Sequence, residues 1–226
     1  AIFRREPPSF RRAGEVQHPR SRQPASPAQT VVEEQPRPQH PGLRPGEPHI
    51  IVTRNLEPIY DIGTALRALA VVTNTWPGAH LTVAGSGPDR ENLVELARAL
   101  GLAARVTFSG GLDNDRMGEL YRQADLFLNS SVVDNMPISI LEALASGVPV
   151  VSTDVGGIPF MVEHTTTALL VPPRDADALA LALLELLNDP AKARRLAAAG
   201  RDAVQRYSWK NVRGRLLDVY SRLAPG

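Results

Sequence analysis

Six short runs of aliphatic and β-branched residues, each followed by a segment with helical spacing, constrain this chain more than any other feature. The runs are Ile50-Ile51-Val52, Ala79–Ala84, Arg105–Phe108, Asp125–Leu128, Val148–Val151 and Ala168–Val171. Their length and content fit buried strands. Between them lie helical patterns. Asp61–Val72 places Ile62, Ala65, Leu66 and Leu69 on one face, and Asp89–Leu100 closes at Gly101. Shorter helical segments are expected at Asp115–Gln123, from Pro137 to Gly147, and at Pro159–Glu163. Longer ones are expected at Asp175–Leu187, Pro190–Arg206 and Trp209–Leu223. Strictly alternating strands and helices predict an α/β domain with a parallel sheet covered on both faces.

The pattern predicts a doubly wound, Rossmann-like parallel sheet of about six strands over residues 49–226, with C-terminal helices. In such sheets ligands sit beyond the carboxyl ends of the strands. Arg54, Gly85, Ser130–Asn135 and Asp154–Gly157 all follow strand ends. Four loops are therefore expected to converge on one rim.

One of these loops carries the chemistry. After Leu126-Phe127-Leu128 the chain breaks into a polar stretch, Ser130–Asn135. Pro137 suits the first turn of a helix, because its missing N–H costs little there. Ile140, Leu141 and Leu144 give the helix an apolar side, and Gly147 ends it. A helix N-terminus presents free N–H groups and a positive dipole end, which attract phosphate. Asp134 sits just before that end and Glu142 one to two turns in, with seven residues between them. Phosphate donors and two hydroxyl acceptors thus lie within reach of one nucleotide sugar.

These residues resemble the donor-site motif of retaining glycosyltransferases with the GT-B fold, the large glycogen-synthase-like group 1 family (family 4). That family shows Glu, seven residues and Glu, then a Gly-x-Pro-Val-Val strand and a Gly-Gly-x-Pro loop. Here stand Asp134 and Glu142, Gly147-Val148-Pro149-Val150-Val151, and Gly156-Gly157-Ile158-Pro159. The first acid is Asp, one methylene shorter than the family's Glu. The resemblance spans roughly residues 49–222.

The resemblance implies roles. Asp134 would accept hydrogen bonds from the donor sugar and Glu142 from the ribose. Arg54, in Thr-Arg-Asn-Leu-Glu-Pro, would contact the diphosphate; the lysine that usually follows falls on Ile59. Those three are the candidate catalytic residues. Ser130, Asn135, Met136, Ile138 and Ser139 would line the sugar and phosphate positions. Met136 and Ile138 would give backbone N–H groups, and the Ser139 hydroxyl would replace what Pro137 cannot donate. Gly85 and Gly87 would lie near the nucleotide, and Gly156 and Gly157 would let backbone approach the ligand. Each glycine pair also reads as an ordinary tight turn. Tyr207-Ser208-Trp209 resembles the family's terminal aromatic-Ser-Trp and reads as a packing anchor with Ser208 as a helix cap.

Composition limits the alternatives. The net charge of +1 argues against a nucleic-acid partner. The absence of cysteine excludes a disulfide framework and thiolate metal sites. The histidines lack metal spacing. Asp113-Asn114-Asp115 reads as a helix cap, so no metal and no other cofactor is expected. Residues 1–48 hold ten of the twenty prolines and few apolar residues. They read as a disordered segment or linker, with a proline-rich partner ligand as the alternative. The chain starts without Met and reads as a fragment lacking the acceptor-binding N-terminal domain.

The expected activity is transfer of a sugar, with retention, from a nucleoside-diphosphate sugar to an acceptor hydroxyl on a glycan, lipid or small molecule. This chain would hold the donor-binding half and be inactive alone. The expected setting is cytoplasmic, with peripheral association at the inner face of the membrane left open. Two other readings stay open: a nucleotide-sugar epimerase of the same fold, and a non-catalytic nucleotide-sugar-binding fragment or pseudoenzyme.

Overall fold

The computed structural model describes residue 44 and residues 46–223. The expectation for residues 1–48 therefore lies outside the described residues, apart from Arg44 and Gly46–Pro48. Six strands form one sheet: β1 (His49–Thr53), β2 (His80–Ala84), β3 (Val106–Gly110), β4 (Leu126–Asn129), β5 (Val150–Thr153) and β6 (Leu169–Val171). The order is β3-β2-β1-β4-β5-β6 and every neighbouring pair is parallel. The expected doubly wound sheet is what forms. Chain order reverses between β1 and β4, which opens a crevice above their carboxyl ends.

Burial explains the strand compositions. Every residue of β1, β4 and β5 is buried, which is why these segments read as unbroken apolar runs. At one edge β3 has no fully buried residue. On one face α1 (Ile62–Thr75), α2 (Arg90–Ala99) and α5 (Ala176–Asn188) cover Ile50, Val52, Leu81 and Leu128. On the other, α3 (Asn114–Gln123) and α4 (Ile138–Ala145) cover Ile51, Phe127 and Val150, with Val204 of α6 (Pro190–Val204). The last helix is α7 (Trp209–Leu223).

Caps set the helix starts. Asp61, Asp113, Asp175 and Asp189 each accept a backbone N–H from the first turn of the helix that follows. Asp113 is thus a helix cap, as its sequence context predicts. Three expectations need correction. Pro137 occupies the N-cap, in extended conformation, rather than the first turn. The segment near Pro159 is a single 3-10 turn, Ile158–Phe160. Trp209 is no packing anchor: it is 68% exposed, while its neighbour Tyr207 packs on the core.

Below the sheet, at the amino ends of the strands, Asp125 is 1% exposed. Its carboxylate accepts from the backbone N–H of His49 (2.7 Å) and of Arg44 (3.0 Å) and from Arg44 Nε (3.3 Å). The ring of His49 stacks on His80 with centroids 4.4 Å apart. Ordered contacts of this domain therefore begin before His49.

Candidate functional site

A cleft of about 460 Å³ opens at the point where strand order reverses. Its lining includes Arg54, Gly85, Asp134, Met136, Ile138, Ser139 and Glu142, so seven sequence candidates share one wall system. Thr53, Tyr60, Leu112 and Met117 are also part of the lining.

Arg54 leaves the end of β1 and turns across the crevice. Its guanidinium is ion-paired with Asp134, and its Nε donates to Asn129 Oδ1 at 3.4 Å. The ring of Tyr60 lies beneath it, 5.0 Å from the guanidinium carbon. The Ser131 hydroxyl donates to Asn129 Oδ1 at 2.8 Å, with the Asp134 carboxylate further off at 3.4 Å. With side chains only 14% and 11% exposed, the pair is largely withdrawn from water. The sequence left two readings of Arg54, a phosphate cation and an ion-paired arginine, and the ion pair with Asp134 is present. Its remaining N–H groups are still available to an anion, since the guanidinium fork offers more donors than this pair uses.

Helix α4 points its N-terminus into the same cleft. Pro137 supplies no side-chain cap to it. Ser139, 6% exposed, has a hydroxyl with no hydrogen-bond partner among the described residues. A buried hydroxyl without a partner is costly, and this one sits in the lining beside the free first-turn N–H groups. Glu142 lies about one turn further on. The sequence suggested a largely buried carboxylate; instead the residue is exposed on the cleft side of α4. Its Oε2 accepts from the Tyr121 hydroxyl at 2.9 Å.

Five candidates stand outside the lining. Ser130 is 1% exposed and donates to the carbonyl of Tyr60 at 2.9 Å, tying the β4 loop to the β1 loop. Asn135 is exposed and is not part of the lining. Gly87 packs against the backbone of Leu56, where a Cβ would have no room. Gly156 and Gly157 do not reach the cleft. A Cβ on Gly156 would land on the carbonyl oxygen of Asp134, and one on Gly157 on that of Asn135. The Gly157 N–H also donates to the Asp134 carbonyl at 3.0 Å. These glycines hold the loop that carries Asp134, so the fourth loop acts from behind. The loop after β3, with Gly111 and Leu112, lines the cleft in its stead.

Sequence reading missed Tyr60, Asn129, Ser131 and Tyr121. Asn129 and Ser131 flank a strand end, a placement that could have marked them. Tyr121 carried no signal, because it sits in a mostly polar segment that reads only as a short helix. Among the described residues no three His, Asp or Glu side chains gather at one point, and no helix is long and apolar enough to cross a membrane.

A sequence profile described as "Glycosyl transferases group 1" matches residues 34–203. The chain belongs to this family. D-inositol 3-phosphate glycosyltransferase of Rhodococcus erythropolis is 33% identical over 190 residues, which is 81% of this chain and 43% of that protein. A GDP-mannose-dependent alpha-(1-6)-phosphatidylinositol monomannoside mannosyltransferase of Mycobacterium tuberculosis is 35% identical over 179 residues, covering 76% of this chain and 46% of that one. Among solved structures, sucrose-phosphate synthase from Thermosynechococcus elongatus superposes with a TM-score of 0.72 at 32% identity, over 80% of this chain and 46% of that one. This group 1 chain spans less than half the length of these relatives. The profile's match over residues 34–203 takes in the cleft and all six strands.

Proposed function

We propose that the cleft binds the nucleoside-diphosphate sugar of a glycosyl transfer, and that this chain is the donor half of the enzyme. The observation that carries the reading is the gathering of Arg54, Asp134, Ser139 and Glu142 around the open N-terminus of α4. Phosphate would accept from the first-turn N–H groups, the unpartnered Ser139 hydroxyl and the remaining Arg54 N–H groups. Glu142 would accept from the ribose diol, and Asp134 from the sugar. The GDP-mannose in the name of the mycobacterial relative supports a nucleotide sugar.

In this reading the bond between the anomeric carbon and the diphosphate breaks, an acceptor hydroxyl bonds to the same face, and its proton passes to the departing diphosphate oxygen. Charge growing on the departing diphosphate is met by Arg54 and the dipole of α4, with no metal assigned a part. The acceptor site lies on sequence that the longer relatives have and this chain does not match. A lipid acceptor reached from the cytoplasmic face of the membrane is one form of this reading, supported by the phosphatidylinositol in that relative's name. The chain's share of its relatives' length favours a second outcome, donor binding without transfer by the 226-residue chain alone.

Calorimetric titration with uridine, guanosine and adenosine diphosphate sugars tests the function, with Glu142→Ala as control. Binding of at least one donor, weakened in the control, is the expected result. No binding to any of them overturns the reading. A robust transfer rate from the chain alone would overturn the donor-only outcome.

A further inference from the structure

We propose that Tyr121 is a positioning residue: its hydroxyl holds the Glu142 carboxylate in the orientation that receives the ribose diol. The inference rests on the function proposed above.

Tyr121 comes from α3, on the covered face of the sheet, and is 2% exposed. Its ring packs near Phe127, with centroids 6.1 Å apart. Only its oxygen reaches toward the cleft wall. That oxygen lies 2.9 Å from Glu142 Oε2, 3.2 Å from the carbonyl of Ser139 and 2.8 Å from Thr53 Oγ1. A phenol has a single proton to give. The carboxylate is both nearer and the stronger acceptor, so the proton goes to Glu142. Thr53 then donates to the Tyr121 oxygen. The chain of donation runs one way, from the end of β1, through α3, to the cleft face of α4.

This direction has a consequence for the ligand. Glu142 is an exposed residue with a flexible side chain, and fixing it on binding costs rotamer entropy. Tyr121 anchors one carboxylate oxygen beforehand. The other oxygen stays free to accept, which suits a ligand presenting hydroxyl donors. Burial pushes the Tyr121 hydroxyl far above its usual pKa, and the neighbouring Glu142 charge adds to this, so it remains a donor throughout the working pH range. Its ring also fills core space, but that task needs no hydroxyl and would be met equally by Phe.

The test is a double-mutant cycle on the full chain, with whichever of UDP, GDP or ADP binds as probe. Tyr121→Phe is expected to weaken binding about 3- to 10-fold, the worth of one hydrogen bond. The loss should vanish in a Glu142→Ala background, and with the 2′,3′-dideoxy form of the same nucleotide. Equal affinity of Tyr121→Phe and the native chain overturns the inference, as does an undiminished penalty in the Glu142→Ala background. If Tyr121→Phe fails to fold, Tyr121→Leu, which also removes the hydroxyl while keeping an apolar side chain in the core, takes its place in the cycle under the same criteria. If the native chain binds none of the three nucleotides, the proposed function fails and this inference with it. Binding with no effect of Tyr121→Phe sinks this inference alone.

Discussion

Arg54 and Asp134 are ion-paired across the crevice between β1 and β4, joining two loops 80 residues apart in sequence. Each belongs to a different half of the doubly wound sheet. The pair therefore fixes both the cation and the first acid of the cleft relative to each other. It also gives the shorter Asp a job that reach alone does not explain: its carboxylate is already held by Arg54 before a ligand arrives.

Removing the cation should be costly in two ways. Arg54→Ala takes away the phosphate donor and leaves the Asp134 carboxylate without its partner. Nucleotide affinity is expected to fall by roughly 10- to 100-fold, the range for a charge-assisted hydrogen bond of ~1.5–3 kcal/mol. Arg54→Lys should recover only part of this, since an ammonium lacks the planar fork. Titration calorimetry on the three proteins checks the order.

Glu142→Ala is expected to separate binding from stability. The residue is exposed on α4, and the buried Tyr121 hydroxyl it partners can donate to the Ser139 carbonyl 3.2 Å away instead, so thermal unfolding should move little. Donor affinity should drop by ~1–3 kcal/mol, because ribose hydroxyls would lose their acceptor. A melting curve and a donor titration on the same variant read the two effects.

Gly157→Ala should damage the cleft from outside it. Gly157 has an ordinary negative φ of −88°, so backbone strain is not the issue. The new methyl would meet the Asn135 carbonyl and push on the Asp134 loop. A destabilisation of ~1–3 kcal/mol is expected from overpacking. Nucleotide binding should weaken as well, although no atom of Gly157 touches the cleft. Denaturant unfolding and titration report the two.

Acid should weaken the fold through His49. Burial lowers its imidazole from 6.5 to about 4, with the stacked His80 adding to the effect. Arg44, on its backbone side, opposes the proton, while the Gln123 carbonyl and Asp125 favour it. A lowered folded pKa means the unfolded chain takes up the proton first. Stability is thus full above pH 6.5 and declines between 6.5 and about 4, by an amount on the order of 3 kcal/mol for this group. His49→Gln should flatten the decline in that window, as read by unfolding at fixed denaturant against pH.

The sequence by itself determined the sheet and the neighbourhood of the site. Branched aliphatic runs buried on both faces leave little freedom but a covered parallel sheet, and Asp61, Asp113, Asp175 and Asp189 mark helix starts by local hydrogen bonding. The position of α4 after the β4 loop was legible for the same local reason. Only the tertiary structure decided which side chains face the cleft. Arg54 meets Asp134, Gly157 braces Asn135, and Tyr121 reaches Glu142 across distances in sequence that no periodicity encodes. Local spacing specifies which element forms, whereas the partner of a side chain depends on how separate elements pack against one another.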